Sequence, residues 1–178
     1  MISYEMTDKQ FKRCEEVALK VTAKRKKGWK TDWHRSAFRT DHYASLIGFA
    51  GEFCFHQIMS VYFRSIPLPD LSVHRSPRKI DFEWKTPLGS LHEVKTTVQS
   101  AEGGVNYVRE DMIERSDVFW FMSTIDSTCK LYTLRGFATC DILKERGKLK
   151  KGRGKWTNYV IETDDLDPVS EFLKLRAR

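Results

Sequence analysis

Glu93-Val94-Lys95 is the segment of this chain best placed to do chemistry. It lies in an alternating stretch, Leu91–Val98, that reads as a β-strand, and alternate residues of a strand project from one face, so Glu93 and Lys95 share theirs. Upstream, the turn sequence Thr86-Pro87-Leu88-Gly89-Ser90 separates this strand from residues 80–84, which predicts a hairpin. With the turn centred near Leu88, Asp81 lies opposite Lys95 and Phe82 opposite Val94. Asp81, Glu93 and Lys95 then occupy one face, and Phe82, Trp84, His92 and Val94 the other. Carboxylates that converge without Cys or His favour a hard, oxygen-loving ion, Mg²⁺ or Mn²⁺.

The triplet alone is not specific. With 24 acids in 178 residues, roughly two acid-x-Lys triplets arise by accident. Two occur, Glu83-Trp84-Lys85 and Glu93-Val94-Lys95. Position decides between them. Lys85 sits at the lip of the turn, whereas Lys95 lies inside a strand, where a side chain can be held in place. The favoured register puts Glu83 across the hairpin from Glu93, a repulsive pairing unless a cation lies between them.

A further acid lies on a helix that precedes the hairpin. Tyr43, Leu46, Ile47, Ala50, Phe53, Cys54 and Ile58 give residues 41–59 a wide apolar surface, typical of a buried helix. Ser45, Gly48, Glu52 and His56 form a narrow polar stripe along it. Glu52 needs a cation, a metal or strong donors to offset its burial, and Gly48 and Gly51 allow a close approach beside it. Before this helix, Thr7-x-x-Gln10 is a capping box for a first helix with Phe11, Cys14, Val17, Ala18 and Val21 on one side.

After the hairpin, residues 109–115 suit a short helix, and the continuous apolar run 118–125 suits a buried strand. Residues 60–64 and 130–134 read as further strands, and Thr139–Lys144 as helical. Residues 144–155 are rich in Lys, Arg and Gly and read as a flexible basic loop. Tyr159–Ile161 forms a last strand, and Asp167-Pro168 opens a terminal helix. The pattern predicts a single α/β domain with a mixed central sheet flanked by helices. It divides into an N-terminal helix and basic segment (1–40), a core (41–135) and a C-terminal part (136–178).

Over about residues 41–135 the chain resembles the PD-(D/E)xK nuclease superfamily. The likeness rests on Glu52 in a helix before the sheet, Asp81, Glu93-Val94-Lys95 in a strand, and the apolar strand after a crossover. Asp81 follows Ile80 rather than the proline that names the superfamily. The resemblance implies a restriction-endonuclease-like core and metal-dependent endonucleolytic hydrolysis of DNA. By position, Asp81, Glu93 and the Val94 carbonyl would bind Mg²⁺ or Mn²⁺, Glu52 would be the additional acid, and Lys95 the catalytic lysine. The competing reading is a cross-strand ion pair on a solvated face, with Glu52 a satisfied polar residue.

Charge agrees with a polyanionic partner. The chain carries 31 Lys and Arg against 24 Asp and Glu, a net +7. Lys26, Lys27, Lys30, Arg35, Arg39, Arg75, Arg78, Lys79, Lys150, Lys151 and Arg153 are the candidate phosphate contacts, with Trp29, Trp33 and Trp156 interleaved. DNA is the expected partner. The small size makes a homodimer attractive, and a structure-selective or junction-resolving substrate fits a chain with little room for a separate sequence reader. A noncatalytic nucleic-acid-binding module and an RNase are the alternatives. No apolar run approaches the length of a membrane span, no signal peptide is evident, and Cys14, Cys54, Cys129 and Cys140 are scattered. These features predict no membrane partner and a reducing, cytoplasmic setting, with four ordinary thiols in or near a core.

Overall fold

The computed structural model describes residues 2–26, 41–69, 84–86, 89–99, 104–125, 128–152 and 156–176. The chain opens with strand β1 (Ile2–Glu5) and helix α1 (Asp8–Lys26). The capping box forms as expected. Gln10 Oε1 accepts from the Thr7 amide at 2.8 Å, and the Gln10 amide reaches back to Thr7 Oγ1 at 3.4 Å. Helix α2 (Asp41–Met59) has the predicted bounds. Beyond it the chain turns through the last helical carbonyls, Ser60 N to His56 O at 2.8 Å and Phe63 N to Met59 O at 2.9 Å. The strand expected at 60–64 is therefore a set of turns; Phe63 is buried while Val61 and Tyr62 are exposed.

Strands β2 (Trp84–Lys85) and β3 (Leu91–Val98) are antiparallel, with Trp84 opposite His92. The connecting turn closes through Thr86 N to Ser90 O at 2.9 Å and Gly89 N to Thr86 O at 2.8 Å. Gly89, at φ +89°, takes a conformation that a side chain would disfavour. Strand β4 (Val105–Arg109) and a short 3₁₀ helix (Glu110–Arg115) lead to β5 (Val118–Thr124), which runs parallel to β3. Strand β6 (Leu131–Thr139) returns antiparallel to β5. Helix α3 (Cys140–Arg146) is capped by Thr139, whose hydroxyl accepts from the Ile142 amide at 3.3 Å. Strands β7 (Lys148–Lys151) and β8 (Thr157–Glu162) follow, and α4 (Val169–Arg176) ends the described chain.

The strands form two sheets. The larger has the order β1-β6-β5-β3-β2 and mixes parallel and antiparallel pairs; the smaller has the order β4-β8-β7. Every residue of β5 is buried, because both faces of the larger sheet are covered. On one face Val94, Val118, Trp120 and Met122 pack with α1, α2 and α4. On the other, Phe119 and Phe121 pack with Val108, Leu143 and Ile161 from the smaller sheet and α3. The result is a mixed α/β architecture, with α1, α2 and α4 on one side of a mixed sheet and a second, smaller sheet with α3 on the other.

The basic segment 144–155 departs most from expectation. Its described part is helix end and strand: β7 pairs with β8, Lys148 opposite Val160 and Lys150 opposite Asn158. All four β7 residues are exposed, so the strand is held by backbone pairing and carries no apolar alternation to announce it. Strands β1 and β4 are likewise absent from the sequence reading.

Candidate functional site

Strand β3 lies in the middle of the molecule, and its two faces do different things. His92 and Val94 point toward the helical face. Trp84 and Trp120 stand beside His92 there, with ring centroids 4.6 and 6.2 Å away. Glu93 and Lys95 project from the opposite face, alongside their β5 register partners Phe119 and Phe121. The described part of the hairpin has the register predicted from the turn, with Trp84 and His92 on the Val94 face. Asp81, the third member of the expected triad, lies outside the described residues, as does Glu83.

Glu93 is 5 % exposed. Its Oε1 is paired with the Lys95 ammonium, whose side chain is 25 % exposed and reaches solvent. A carboxylate buried among phenyl rings is tolerated only with such a partner. Oε2 has a weaker contact, a long 3.4 Å hydrogen bond from Ser116 Oγ. Lone pairs of a hard oxygen donor therefore remain available beside a cation. Ser116 is itself fixed from behind, since Cys140 Sγ donates to the carbonyls of Ile113 (2.8 Å) and Ser116 (3.0 Å). Sequence reasoning missed Ser116. It is 23 residues from Glu93 in the chain, and only the parallel β3–β5 pairing brings the two together.

Glu52 does not join the pair. Helix α2 meets β3 at Gly51, where a Cβ would stand 2.0 Å from Thr96 Oγ1. Thr96 belongs to the Val94 face, so α2 covers the side of the strand away from Glu93. The polar stripe of Ser45, Gly48, Glu52 and His56 is half-buried, and His56 Nδ1 is 2.8 Å from the Pro67 carbonyl. Glu52 lies toward α1, where its charge helps burial push the Cys14 thiol up to about 11. Among the described residues no group of three or more His, Cys, Asp or Glu is placed to hold a metal ion. Glu93 and the Val94 carbonyl could by themselves supply only part of a coordination shell.

Two other polar clusters are accounted for within the fold. Trp120 Nε1 donates to His92 Nδ1 at 2.9 Å, so Nδ1 is the acceptor and the neutral ring carries its proton on Nε2, 3.0 Å from Ser90 Oγ. That tautomer cannot take a proton from Ser90, which removes a Ser-His nucleophile from consideration. Gln99, 6 % exposed, donates to Asn106 Oδ1 at 2.8 Å, and Thr163 completes the network by donating to Gly104 O at 2.8 Å. These side chains tie β3 to the smaller sheet.

Of the candidate phosphate contacts, Lys150 and Lys151 are exposed on β7. Lys27, Lys30, Arg35, Arg39, Arg75, Arg78, Lys79 and Arg153 lie outside the described residues. Lys26 ends α1, and its side chain is likewise outside them. No helix among the described residues is long and apolar enough to cross a membrane. No protein-family model, no curated protein and no solved structure matches the chain.

Proposed function

We propose that the protein is a metal-dependent deoxyribonuclease with a restriction-endonuclease-like core, and that Glu93 and Lys95 belong to its active centre. One observation carries the reading. A buried carboxylate and a partly exposed ammonium stand two residues apart on a central strand, on one face and in the order that the Asp81/Glu93/Lys95 pattern requires. The mixed sheet, with β3 parallel to the apolar β5, supports it.

In this reading Glu93, Asp81 and the Val94 carbonyl would hold Mg²⁺ or Mn²⁺, which would supply positive charge for the scissile phosphate and for acidifying a water. Lys95 leaves Glu93 for a phosphate oxygen when DNA arrives, and donates to the charge that gathers there. Phe119 and Phe121 keep water from the buried side of Glu93 and hold its carboxylate in one place. Glu52, across the strand, has no assigned ligand role.

Cleavage of supercoiled, linear, branched and single-stranded DNA is the test, run with Mg²⁺, with Mn²⁺ and with EDTA. Glu93→Ala, Lys95→Ala and Asp81→Ala should each lower the rate at least ~100-fold while largely sparing DNA binding. Glu52→Gln should cost much less. If Glu83→Ala abolishes cleavage and Glu93→Ala does not, the triad register is wrong. Salt-sensitive DNA binding with no cleavage of any substrate would identify a noncatalytic binding module instead, and cleavage confined to RNA would identify a ribonuclease.

A further inference from the structure

The register of the smaller sheet sorts its residues into two faces. Asn106, Val108, Tyr159 and Ile161 point inward, to the core shared with β5 or to the Gln99 network. On the outward face the pairing builds two successive rows: Tyr107, Val160 and Lys148 in one, Arg109, Asn158 and Lys150 in the next. Tyr107 is 49 % exposed, an aromatic ring standing in solvent at the edge of the sheet, while Val160 beside it is almost covered. Lys148 and Lys150 are exposed and make no ion pair among the described residues.

Arg109 differs from the lysines. Its guanidinium donates to both oxygens of Asp111, at 2.8 and 2.6 Å, and lies 3.8 Å from the centre of the Trp156 ring. Its charge is already balanced, and it serves as a wall. Val160 floors a shallow depression between the lysines and Val105. Glu162 and Asp165 close its far end together with Arg146, which is bound to Asp167 at 2.8 Å. Phosphates are repelled from that end and drawn to the lysines.

We propose that this outward face binds a single strand of DNA, its phosphates along Lys148 and Lys150 and an unpaired base on Tyr107. The two lysines are alternate residues of one strand, about 6.8 Å apart, a spacing that lets both meet one sugar-phosphate backbone. Tyr107 selects the unpaired form. Base faces in a duplex are already stacked on their neighbours, whereas an exposed ring offers a surface to a base that has none. Three strands span only about 10 Å, so a single strand covers the face. The choice of DNA rests on the nuclease reading above; the strand-binding chemistry does not.

The experiment is fluorescence anisotropy with labelled oligo(dT) of about 12 nucleotides. A duplex and an oligo(U) of equal length are run beside it, all in EDTA over a range of salt. Lys148→Glu/Lys150→Glu should weaken oligo(dT) binding at least tenfold and flatten its log–log salt slope by roughly 1.4, two phosphates' worth on a single strand. Tyr107→Ala should weaken oligo(dT) about tenfold and the duplex much less, and Tyr107→Phe should restore binding. Circular dichroism melts establish that each variant is folded. Unchanged oligo(dT) affinity in the folded lysine variant overturns the proposal; the lysines then merely keep an edge strand from pairing with another chain. Equal losses for strand and duplex in Tyr107→Ala, or tighter binding to oligo(U) than to oligo(dT), also overturn it. EDTA keeps this readout apart from catalysis. Mg²⁺-dependent cleavage lost in Glu93→Ala, with oligo(dT) affinity unchanged in the lysine variant, would leave the nuclease reading standing alone; the expected binding losses with no cleavage of any substrate would leave the face alone.

Discussion

Cys14 lies on the core-facing side of α1 with no exposed surface, and its thiol is held near 11 by burial first and by the charge of Glu52 second. Cys54, also fully covered, is raised by burial in the same way. Both thiols are therefore protonated and inaccessible at neutral pH, and iodoacetamide at pH 8 should leave them unmodified until the chain unfolds, as peptide mass spectrometry will show. The sign of the pH effect follows. An unfolded Cys14 ionises near 9.0 and the folded one near 11, so between those values the folded chain keeps a proton that the unfolded chain has lost. This contribution to stability is intact below about pH 9 and declines as pH rises toward 11; Cys14→Ala should flatten that alkaline decline in a thermal melt. At this scale the sequence was informative about residue type and silent about company. Glu93 and Lys95 could be paired from strand alternation alone. Ser116, Cys140 and the burial of Glu93 under Phe119 depend on which strand lies next to β3, and no local signal carries that.

Helix α2 and strand β3 meet where neither has room to spare. Gly51 faces Thr96, and a methyl group there would lie 2.0 Å from Thr96 Oγ1 and 2.8 Å from its Cβ. The short β-branched side chain cannot swing clear as a lysine would, so the helix must move. Gly51→Ala should destabilise the fold by about 1–3 kcal/mol, read from chemical denaturation, despite the better helix propensity of alanine. The helix bounds, the capping box, the 86–90 turn and the buried β5 were all legible, because each has a local cause: a cap, an apolar period, a Gly-Pro turn, a run of large apolar residues. Strands β1, β4 and β7 were not. Each is five residues or shorter, and β7 consists of Lys-Leu-Lys-Lys, a composition that a loop would share. Such strands exist because a partner strand supplies their hydrogen bonds; for β1 and β4 that partner is distant in sequence, and β7 is held by its pairing with the next strand, β8.

Across the whole molecule, net charge of +7 suggested a polyanion without saying where it would sit. The fold resolves part of that charge. Arg109 and Arg146 are neutralised by Asp111 and Asp167, while Lys148 and Lys150 of β7 stay available on the outer face of the smaller sheet. Glu93 faces the opposite problem, a negative charge enclosed by the larger sheet. The pair it makes with Lys95 contributes little to holding that sheet together, because removing two ions from water consumes most of what their attraction returns. Glu93→Met/Lys95→Met should therefore yield a chain at least as stable as the parent, by up to about 4 kcal/mol in urea denaturation. Glu93→Met alone should be less favourable, since it strands the ammonium. A chain that folds as well without these charges has no structural debt to them, which makes the strand interior the place where selection for chemistry, rather than for folding, would leave its mark.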